Sequence, residues 1–418
     1  MKLINNNRLV YTIVAVFTVI QFAIILVFGP TLYYDSDCYI YFAKDCVAHG
    51  EPYPVASEIG SYDFIWNVGS INIVALSLFL FHTVTPLYFI YAILKGLSAL
   101  LLYKITCHQF DGRVGFTALL LYVLYPANYG ESTSFLSELP FIFFILSGIW
   151  LALNRKKPIA GGILIAIANW IRPMGLVFIA AMAVYYLVAR QWKNIAKIVA
   201  GFAIMIVIIG SLTWYRTGYF IYQAKTGWMA LLQYSVDTSA DNDAWYTDAK
   251  GFNSVQKDSL WQKRMAAWIV DHPKDYVAQM PIKLAKTYIS DNTNFCAFLP
   301  DKNNSDYMYN EVSMPTLIHS FPHYTWVQWL TAYNLVYYYA LMVLFVIGCV
   351  SLIRRRRWTD VAMPLGVVFF GTAILLFFGH GEARFHIPFM PFIIMIDACW
   401  LQYRLFLSAI IASLPTIR

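Results

Sequence analysis

The sequence predicts an all-α polytopic membrane protein, on the basis of its composition and the distribution of its charges. Of the 418 residues, 59% are hydrophobic and only 13% are charged, whereas soluble domains average roughly 45–50% and ~25%. Long apolar segments recur along the chain, and basic clusters occupy the short connections between them. These features disfavour a soluble enzyme, a disordered chain, a disulfide-rich secreted domain and a nucleic-acid-binding module.

About ten apolar segments are predicted to be membrane-spanning helices, since a bilayer core requires about 20 mostly apolar residues. The long segment 158–189 is divided in two because Arg172-Pro173 interrupts it and proline disrupts a helix. Segment 67–83 is also apolar, but we predict that it is a juxtamembrane or re-entrant helix that does not cross the membrane. The predicted spans are 9–29, 86–105, 114–129, 138–153, 158–171, 174–189, 195–214, 328–351, 361–379 and 387–407.

Six basic clusters predict the orientation of these helices. They contain more than half of the 30 Lys and Arg residues, and such clusters remain on the cytoplasmic side of a membrane. All six lie on one side only if segment 67–83 does not cross, and both termini are then cytoplasmic. If that segment crosses, the later clusters move outside, which the charge bias disfavours. The predicted location is a multi-pass cell membrane, of the bacterial inner-membrane type.

This topology predicts three regions. The middle region is punctuated by Asn, Asp and Pro, and its patches 255–270 and 276–289 have the periodicity of amphipathic helices. We therefore predict a folded extracytoplasmic helical lobe there. The regions are a transmembrane module 1–214 with a juxtamembrane first outer loop 30–85, the lobe 215–327, and carboxy-terminal transmembrane helices 328–418.

Two carboxylates after the first span are candidate catalytic groups. Asp35 and Asp37 lie at the predicted membrane surface, where acids are costly to desolvate and are often functional. Two such acids can share a divalent cation, or one can act as a base while the other tunes it. Alternatively, Asp35 or Ser36 only caps a helix over 38–49, because acids are favoured in a first turn.

Two arginines on the same predicted face are candidates for binding an anion. Arg384 lies in a loop that also contains His380, Glu382 and His386, and Arg172 lies at an isolated outer turn. Guanidinium groups bind phosphate or carboxylate through two parallel hydrogen bonds. The alternatives are an ion pair between Arg384 and Glu382, an interfacial Arg384, and a counter-ion role for Arg172.

Further ionisable residues occur in another outer turn and within the spans. Glu131 and Glu138 lie in the outer turn, and a glutamate is also favoured at a helix amino terminus. Lys95 and Asp397 lie within predicted spans, where such residues are functional candidates unless they pair. No standard metal-ligand spacing is present, so the metal is unknown and a divalent cation stays open. No nucleotide cofactor is expected.

The first outer loop resembles that of the GT-C superfamily of integral-membrane glycosyltransferases, which use polyprenyl-phosphate sugars. Aminoarabinose transferases of lipid A and protein O-mannosyltransferases are members. Asp35, Tyr39, Ala43 and Gly50 follow the first-loop pattern of the family, and Asp35 matches its catalytic acid. Relatives often have a second acid at the next position, whereas here Asp37 is displaced by one.

Further motifs extend this resemblance over nearly the whole chain, in the same order. The outer turn contains PANYGESTSFLSELPF, which is similar to the acidic turn of the family, and NWIRPMG is similar to its Arg-Pro turn. The lobe contains DHPKDYVAQMPIKLAKTY, which resembles a stretch common in such enzymes. Near the end of the chain, EARFHIPFMPF resembles the closing E-x-R-[YF]-x-x-P-x-x-P element of the family. Each motif is degenerate, so the ordered set supports the resemblance.

The resemblance implies inverting transfer of a sugar from a polyprenyl-phosphate carrier to a hydroxyl at the extracytoplasmic face. Asp35 is expected to be the general base, and Arg384 with Arg172 to stabilise the leaving phosphate. Expected partners are the donor lipid, a glycan, lipid or protein acceptor, and the bilayer, with no nucleic acid. A transporter or flippase, and a polymerase or ligase of lipid-linked glycans, remain alternatives. Further candidates for donor or acceptor contacts are Glu131, Glu138, Glu382, His380 and His386.

Overall fold

The structure, a computed structural model, describes residues 7–235, 249–302, 305–379 and 381–413. Its first helices are α1 (Asn7–Phe28), α2 (Tyr34–His49), α3 (Val68–Phe81), α4 (Thr85–Gln109), α5 (Gly112–Leu124), α6 (Glu138–Leu153), α7 (Pro158–Ile171), α8 (Gly175–Val188) and α9 (Trp192–Thr217). The following helices are α10 (Gly227–Ser235), α11 (Ser254–Asp271), α12 (Pro273–Ala278), α13 (Met280–Tyr288), α14 (Ser305–Glu311) and α15 (Met314–Ser320). The last helices are α16 (Trp326–Arg354), α17 (Trp358–Phe378) and α18 (Met390–Ser413).

Short 3-10 segments connect several of these helices. They are Pro126–Asn128, Glu131–Thr133, Thr293–Phe298 and Ala383–Phe389. Across the described residues there is no β-strand, and one isolated bridge joins Ile65 to Lys225. The prediction of an all-α chain is therefore confirmed.

Among the residues that the structure describes, six helices are long and apolar enough to cross a membrane. They are α1, α4, α9, α16, α17 and the stretch Ala383–Arg404, which continues into α18. A seventh results only if α6 is counted together with Pro126–Thr133, to which it is bent by 114°. The prediction of several helices that could cross a membrane is therefore confirmed.

About ten spanning helices were predicted, whereas six helices of the described residues are long and apolar enough to span a membrane alone. All ten predicted segments are helical, but α5 has 13 residues and α7 and α8 have 14 each. At 1.5 Å per residue they are about 20 Å long, against ~30 Å of hydrocarbon. The reason is local: α5 ends before Pro126, and the turn at Arg172-Pro173 separates α7 from α8.

Helix α3 covers the ambiguous segment 67–83 and is also too short to cross alone, with 14 residues. Its amino terminus lies against the end of α7, where Ser70 Oγ donates a hydrogen bond to the Ile171 carbonyl at 3.1 Å. Gly69 permits this approach, because a Cβ there would lie 2.8 Å from the Ile171 Cα. The first loop is therefore tied to the helix bundle at this point.

The region 215–327 contacts the rest of the chain in two places, at the first outer loop and within the helix bundle. In α11, Ser254 Oγ donates hydrogen bonds to the carbonyls of Ile59 and Tyr62 at 3.0 and 2.8 Å. Farther along, Asn294 Nδ2 donates to the Ala127 carbonyl at 2.7 Å, among the buried residues of the bundle. The predicted amphipathic patches correspond to α11 and to α12 with α13, which are separate helices because Met280-Pro281 follows α12.

Candidate functional site

Four chain segments that are distant in sequence meet at one end of the helix bundle. They are the first turn of α2, the amino terminus of α6, the turn between α7 and α8, and the segment 381–389. Ion pairs connect their side chains. We call this group the arginine cluster; its members are Asp35, Glu138, Arg172, Glu382 and Arg384.

The first turn of α2 positions Asp35. The helix begins at Tyr34, four residues before the expected start, and its N-cap residue Tyr33 makes no side-chain cap. Neither Asp35 nor Ser36 is therefore the cap, which corrects that alternative: the Asp37 amide already bonds to the Tyr33 carbonyl at 3.0 Å. Asp35 instead lies within the first turn, where the helix dipole favours a carboxylate.

Asp37 does not join the arginine cluster. It is exposed, and two positions along an α-helix are about 200° apart around its axis. The two acids consequently point away from each other, which is the wrong arrangement for sharing one cation between them.

Arg384 is the centre of the arginine cluster. Its Nη1 lies 2.8 Å from Asp35 Oδ2, its Nε lies 2.6 Å from Glu382 Oε1, and the same Nε lies 3.9 Å from Glu138 Oε1. The exposed fraction of the side chain is 15% for Arg384, 21% for Asp35 and 35% for Glu382. Arg384 therefore pairs with Glu382, as one alternative held, and also with the candidate catalytic acid.

Arg172 belongs to the deeper side of this cluster. Its Nη1 lies 2.8 Å from Glu138 Oε1 and donates a hydrogen bond to Ser137 Oγ at 2.9 Å. The Glu138 side chain is only 2% exposed, so it requires a cation close by. The ring of Phe385 contacts both guanidinium groups, at 5.2 Å from Arg172 and 6.0 Å from Arg384, which are cation–π distances.

Two polar residues that support the cluster, Asn67 and Ser137, were not among the predicted candidates. Asn67 Nδ2 donates to the Tyr39 hydroxyl at 2.7 Å and lies 3.4 Å from Ser137 Oγ. Burial, together with the charges of Asp35 and Glu138, raises the pKa of Tyr39 above its usual value, so this hydroxyl stays protonated. The available signal was Ser137 directly before Glu138, because short polar residues favour helix amino termini.

Tyr309, on α14, is a further neighbour that no sequence pattern indicated. Burial raises its pKa to about 12, and the Arg384 guanidinium acts in the opposite direction. Its ring centroid lies 6.2 Å from that of Tyr33, beside the start of α2. Tyr309 therefore adds a protonated phenol near the rim of the cluster.

Glu131 and His386 lie in a second, fully buried group. Glu131 pairs with Lys95, and their side chains are 3% and 2% exposed. His386 Nε2 lies 3.9 Å from Asp291 Oδ2, and Asp291 also accepts a hydrogen bond from the Tyr125 hydroxyl. A small cavity is lined by residues of both pairs. We call this group the buried polar cluster; its members are Lys95, Tyr125, Glu131, Asp291 and His386.

The other candidates lie apart from the arginine cluster. His380 is outside the described residues. Asp397 is buried in α18, and neither of its oxygens makes a hydrogen bond to a described residue. In the described part of the chain, no group of three or more His, Cys, Asp and Glu side chains converges as metal ligands. No family model matches the chain, and no curated protein matches it at a significant level.

Proposed function

We propose that this protein is a GT-C-like integral-membrane glycosyltransferase that moves a sugar from a polyprenyl-phosphate carrier to an acceptor hydroxyl. One observation carries the proposal: the partly exposed carboxylate of Asp35 lies 2.8 Å from the Arg384 guanidinium, at the end of a bundle with membrane-length helices. A lipid-borne phosphate and a hydroxyl must meet at a membrane surface, and the reaction requires a base beside a cation. The arginine cluster supplies both groups.

In the proposed reaction, a carboxylate oxygen of Asp35 accepts the proton of the acceptor hydroxyl. The acceptor oxygen bonds to the anomeric carbon, and the bond from that carbon to the phosphate oxygen breaks. The leaving polyprenyl phosphate takes the electron pair, and Arg384 balances its charge. A single displacement inverts the anomeric centre. General base catalysis of this kind contributes ~10²–10⁴-fold in rate.

The distribution of basic residues supports an extracytoplasmic active site. Helix α6 begins and α7 ends at the arginine cluster, so their connection 154–157 lies about one helix length away, roughly 20 Å. This connection is basic, as are 190–197 and 354–357. The positive-inside rule then locates the basic ends and both termini in the cytoplasm. We further propose about ten crossing helices, the short ones surrounded by longer neighbours.

A transporter or flippase of a lipid-linked glycan is the second candidate, favoured by Asp397. This acid is buried in a membrane-length helix without a hydrogen bond to a described residue, and such acids often mark ion pathways. The test is movement of a fluorescent lipid-linked glycan across vesicles that contain the protein. Movement lost in Asp397→Asn and retained in Asp35→Asn would favour this candidate.

The glycosyltransferase is tested with full-length protein in detergent, radiolabelled polyprenyl-phosphate sugars and a panel of acceptors. We expect one donor to release free polyprenyl phosphate. Asp35→Asn should reduce this release at least ~10²-fold, and Arg384→Gln should reduce it through weaker donor binding. Retained turnover in Asp35→Asn would exclude this residue as the base.

Two control variants make the same chemical changes away from the cluster. Asp63→Asn removes an acid that is 66% exposed and lies 3.4 Å from Lys257. Arg354→Gln removes an exposed guanidinium at the far end of α16. Both should retain wild-type turnover. If the wild-type protein releases nothing from any donor in the panel, the result counts against the glycosyltransferase.

A further inference from the structure

The arginine cluster contains more acids than arginines. Two guanidinium groups face three carboxylates within 4 Å, and Arg384 alone faces Asp35, Glu382 and Glu138. An anion that approaches Arg384 therefore meets a cation whose charge is already balanced. The excess of carboxylates repels a further anion, so binding is favoured when the anion replaces one of them.

Burial determines which carboxylates an incoming anion can replace. Glu138 is 2% exposed and is held by Arg172 at 2.8 Å, so displacing it would leave a buried charge without a close partner. The side chains of Asp35 and Glu382 are 21% and 35% exposed. When either carboxylate leaves Arg384, water can solvate its charge. Exchange at Arg384 therefore involves these two acids.

Glu382 balances the charge of Arg384 without completing its hydrogen bonding. The Nε–H of Arg384 is buried and makes no hydrogen bond of acceptable geometry to a described residue, although Glu382 Oε1 lies only 2.6 Å from that nitrogen. A buried donor left in this state carries a free-energy cost. A phosphate presents several oxygens to a guanidinium and can satisfy its donors.

We propose that Glu382 occupies the phosphate position on Arg384 in the resting protein, and that the donor phosphate binds by displacing it. The phosphate also replaces Asp35 on Arg384, so that donor binding releases the base. Arg172 remains with Glu138 and is a positioning residue, not a phosphate ligand. This inference rests on the proposed function, from which the lipid carrier of the phosphate is taken. It implies that the donor binds before the acceptor loses its proton.

The test is the affinity of the full-length protein for undecaprenyl phosphate in detergent, measured by isothermal titration calorimetry. Glu382→Gln removes the competing charge and should tighten binding about threefold to tenfold. Glu382→Asp retains a carboxylate and should bind as the wild type does. Asp63→Asn removes an acid remote from Arg384 and should also leave the affinity unchanged.

A second variant gives effects of opposite sign on binding and turnover. Asp35→Asn should tighten binding of undecaprenyl phosphate by a similar factor while losing sugar transfer. Affinity in Glu382→Gln equal to or weaker than wild type overturns the inference, as does the absence of binding in both proteins. Failure of the proposed function is distinguishable, because it appears as tight phosphate binding without transfer from any donor.

Discussion

The arginine cluster and the buried polar cluster contain the same kinds of charged groups in different environments. Lys95 and Glu131 form a one-to-one pair whose side chains are at most 3% exposed. Arg384 instead shares three acids, of which Asp35 and Glu382 reach solvent. The difference teaches that a charge in an apolar chain is not by itself functional. The arginine cluster is open to solvent and offers Arg384 several carboxylates, as a site that exchanges ligands requires. The pair of Lys95 and Glu131 has neither property and is a structural contact.

Two neighbouring acids make this comparison within one short segment. Glu131 lies in the connection between α5 and α6, and Glu138 is the first residue of α6. One pairs with Lys95 and the other with Arg172. We therefore expect substitutions in the buried polar cluster to lower stability, and substitutions on the exposed side of the arginine cluster to alter binding and turnover. Four predictions test this division, from the largest effect on stability to the smallest.

The largest loss of stability is expected for Lys95→Met. The substitution leaves Glu131 buried without its cation, which costs about 3–5 kcal/mol. Thermal unfolding in detergent should show a clearly lower Tm, and the double variant Lys95→Met with Glu131→Gln should recover part of it. Lys44→Met, at an exposed position of α2, is the control. An unchanged Tm in the single variant would contradict the assignment of a structural pair.

A smaller loss is expected for Arg172→Gln, roughly 2 kcal/mol. Glu138 Oε1 loses the Arg172 guanidinium at 2.8 Å but remains 3.9 Å from Arg384 Nε. The carboxylate therefore keeps one cation nearby. The same experiment on Arg384→Gln should show less change in Tm and a larger loss of affinity for undecaprenyl phosphate. The reverse ranking of the two arginines in both measurements would show that their roles are exchanged.

Ser137→Ala should cost about 1 kcal/mol, because it removes the hydrogen bond from Arg172 Nη1 to Ser137 Oγ. The Tm should fall slightly while the affinity for undecaprenyl phosphate stays within error of wild type. Ser61→Ala, at an exposed hydroxyl of the first loop, controls for loss of a serine. A large change in phosphate affinity would instead connect the deep side of the arginine cluster directly to the ligand.

The smallest effect on stability is expected for Asp35→Asn, at most about 1 kcal/mol, since partly exposed ion pairs contribute little. Its Tm should lie close to that of wild type even though transfer is lost. Unfolding measurements on the same protein preparation used for turnover make this comparison direct. A Tm as low as that of Lys95→Met would mean that Asp35 acts mainly as a structural residue.

Much of the helical framework could be predicted from the sequence. Apolar runs and prolines located the helices, and the predicted limits 138–153 and 158–171 agree with α6 and α7. The number of membrane-length helices differs from the prediction, because the predicted span 114–129 runs past Pro126, whereas α5 ends at Leu124. Hydropathy reports apolarity, whereas helix ends depend on local backbone geometry.

The members of the arginine cluster were all among the predicted candidates, but their arrangement was not predictable. Spacing alone suggested that Asp35 acts with Asp37, whereas the helical start at Tyr34 turns these side chains apart. The grouping of Glu131 with Lys95, and of His386 with Asp291, depends on contacts between distant segments. Asn67 and Ser137 have no charge to attract notice, and their role follows only from the hydrogen bonds they make.

Phe385 contacts both guanidinium groups, and its ring centroid lies 5.2 Å from Arg172 and 6.0 Å from Arg384. A ring at these distances attracts both like charges through its quadrupole, so one aromatic side chain stabilises both cations. Because Phe385 directly follows Arg384 in the chain, one short segment holds one cation of the arginine cluster and the ring that stabilises the other. A movement of this segment would therefore change the surroundings of Arg172 as well as those of Arg384.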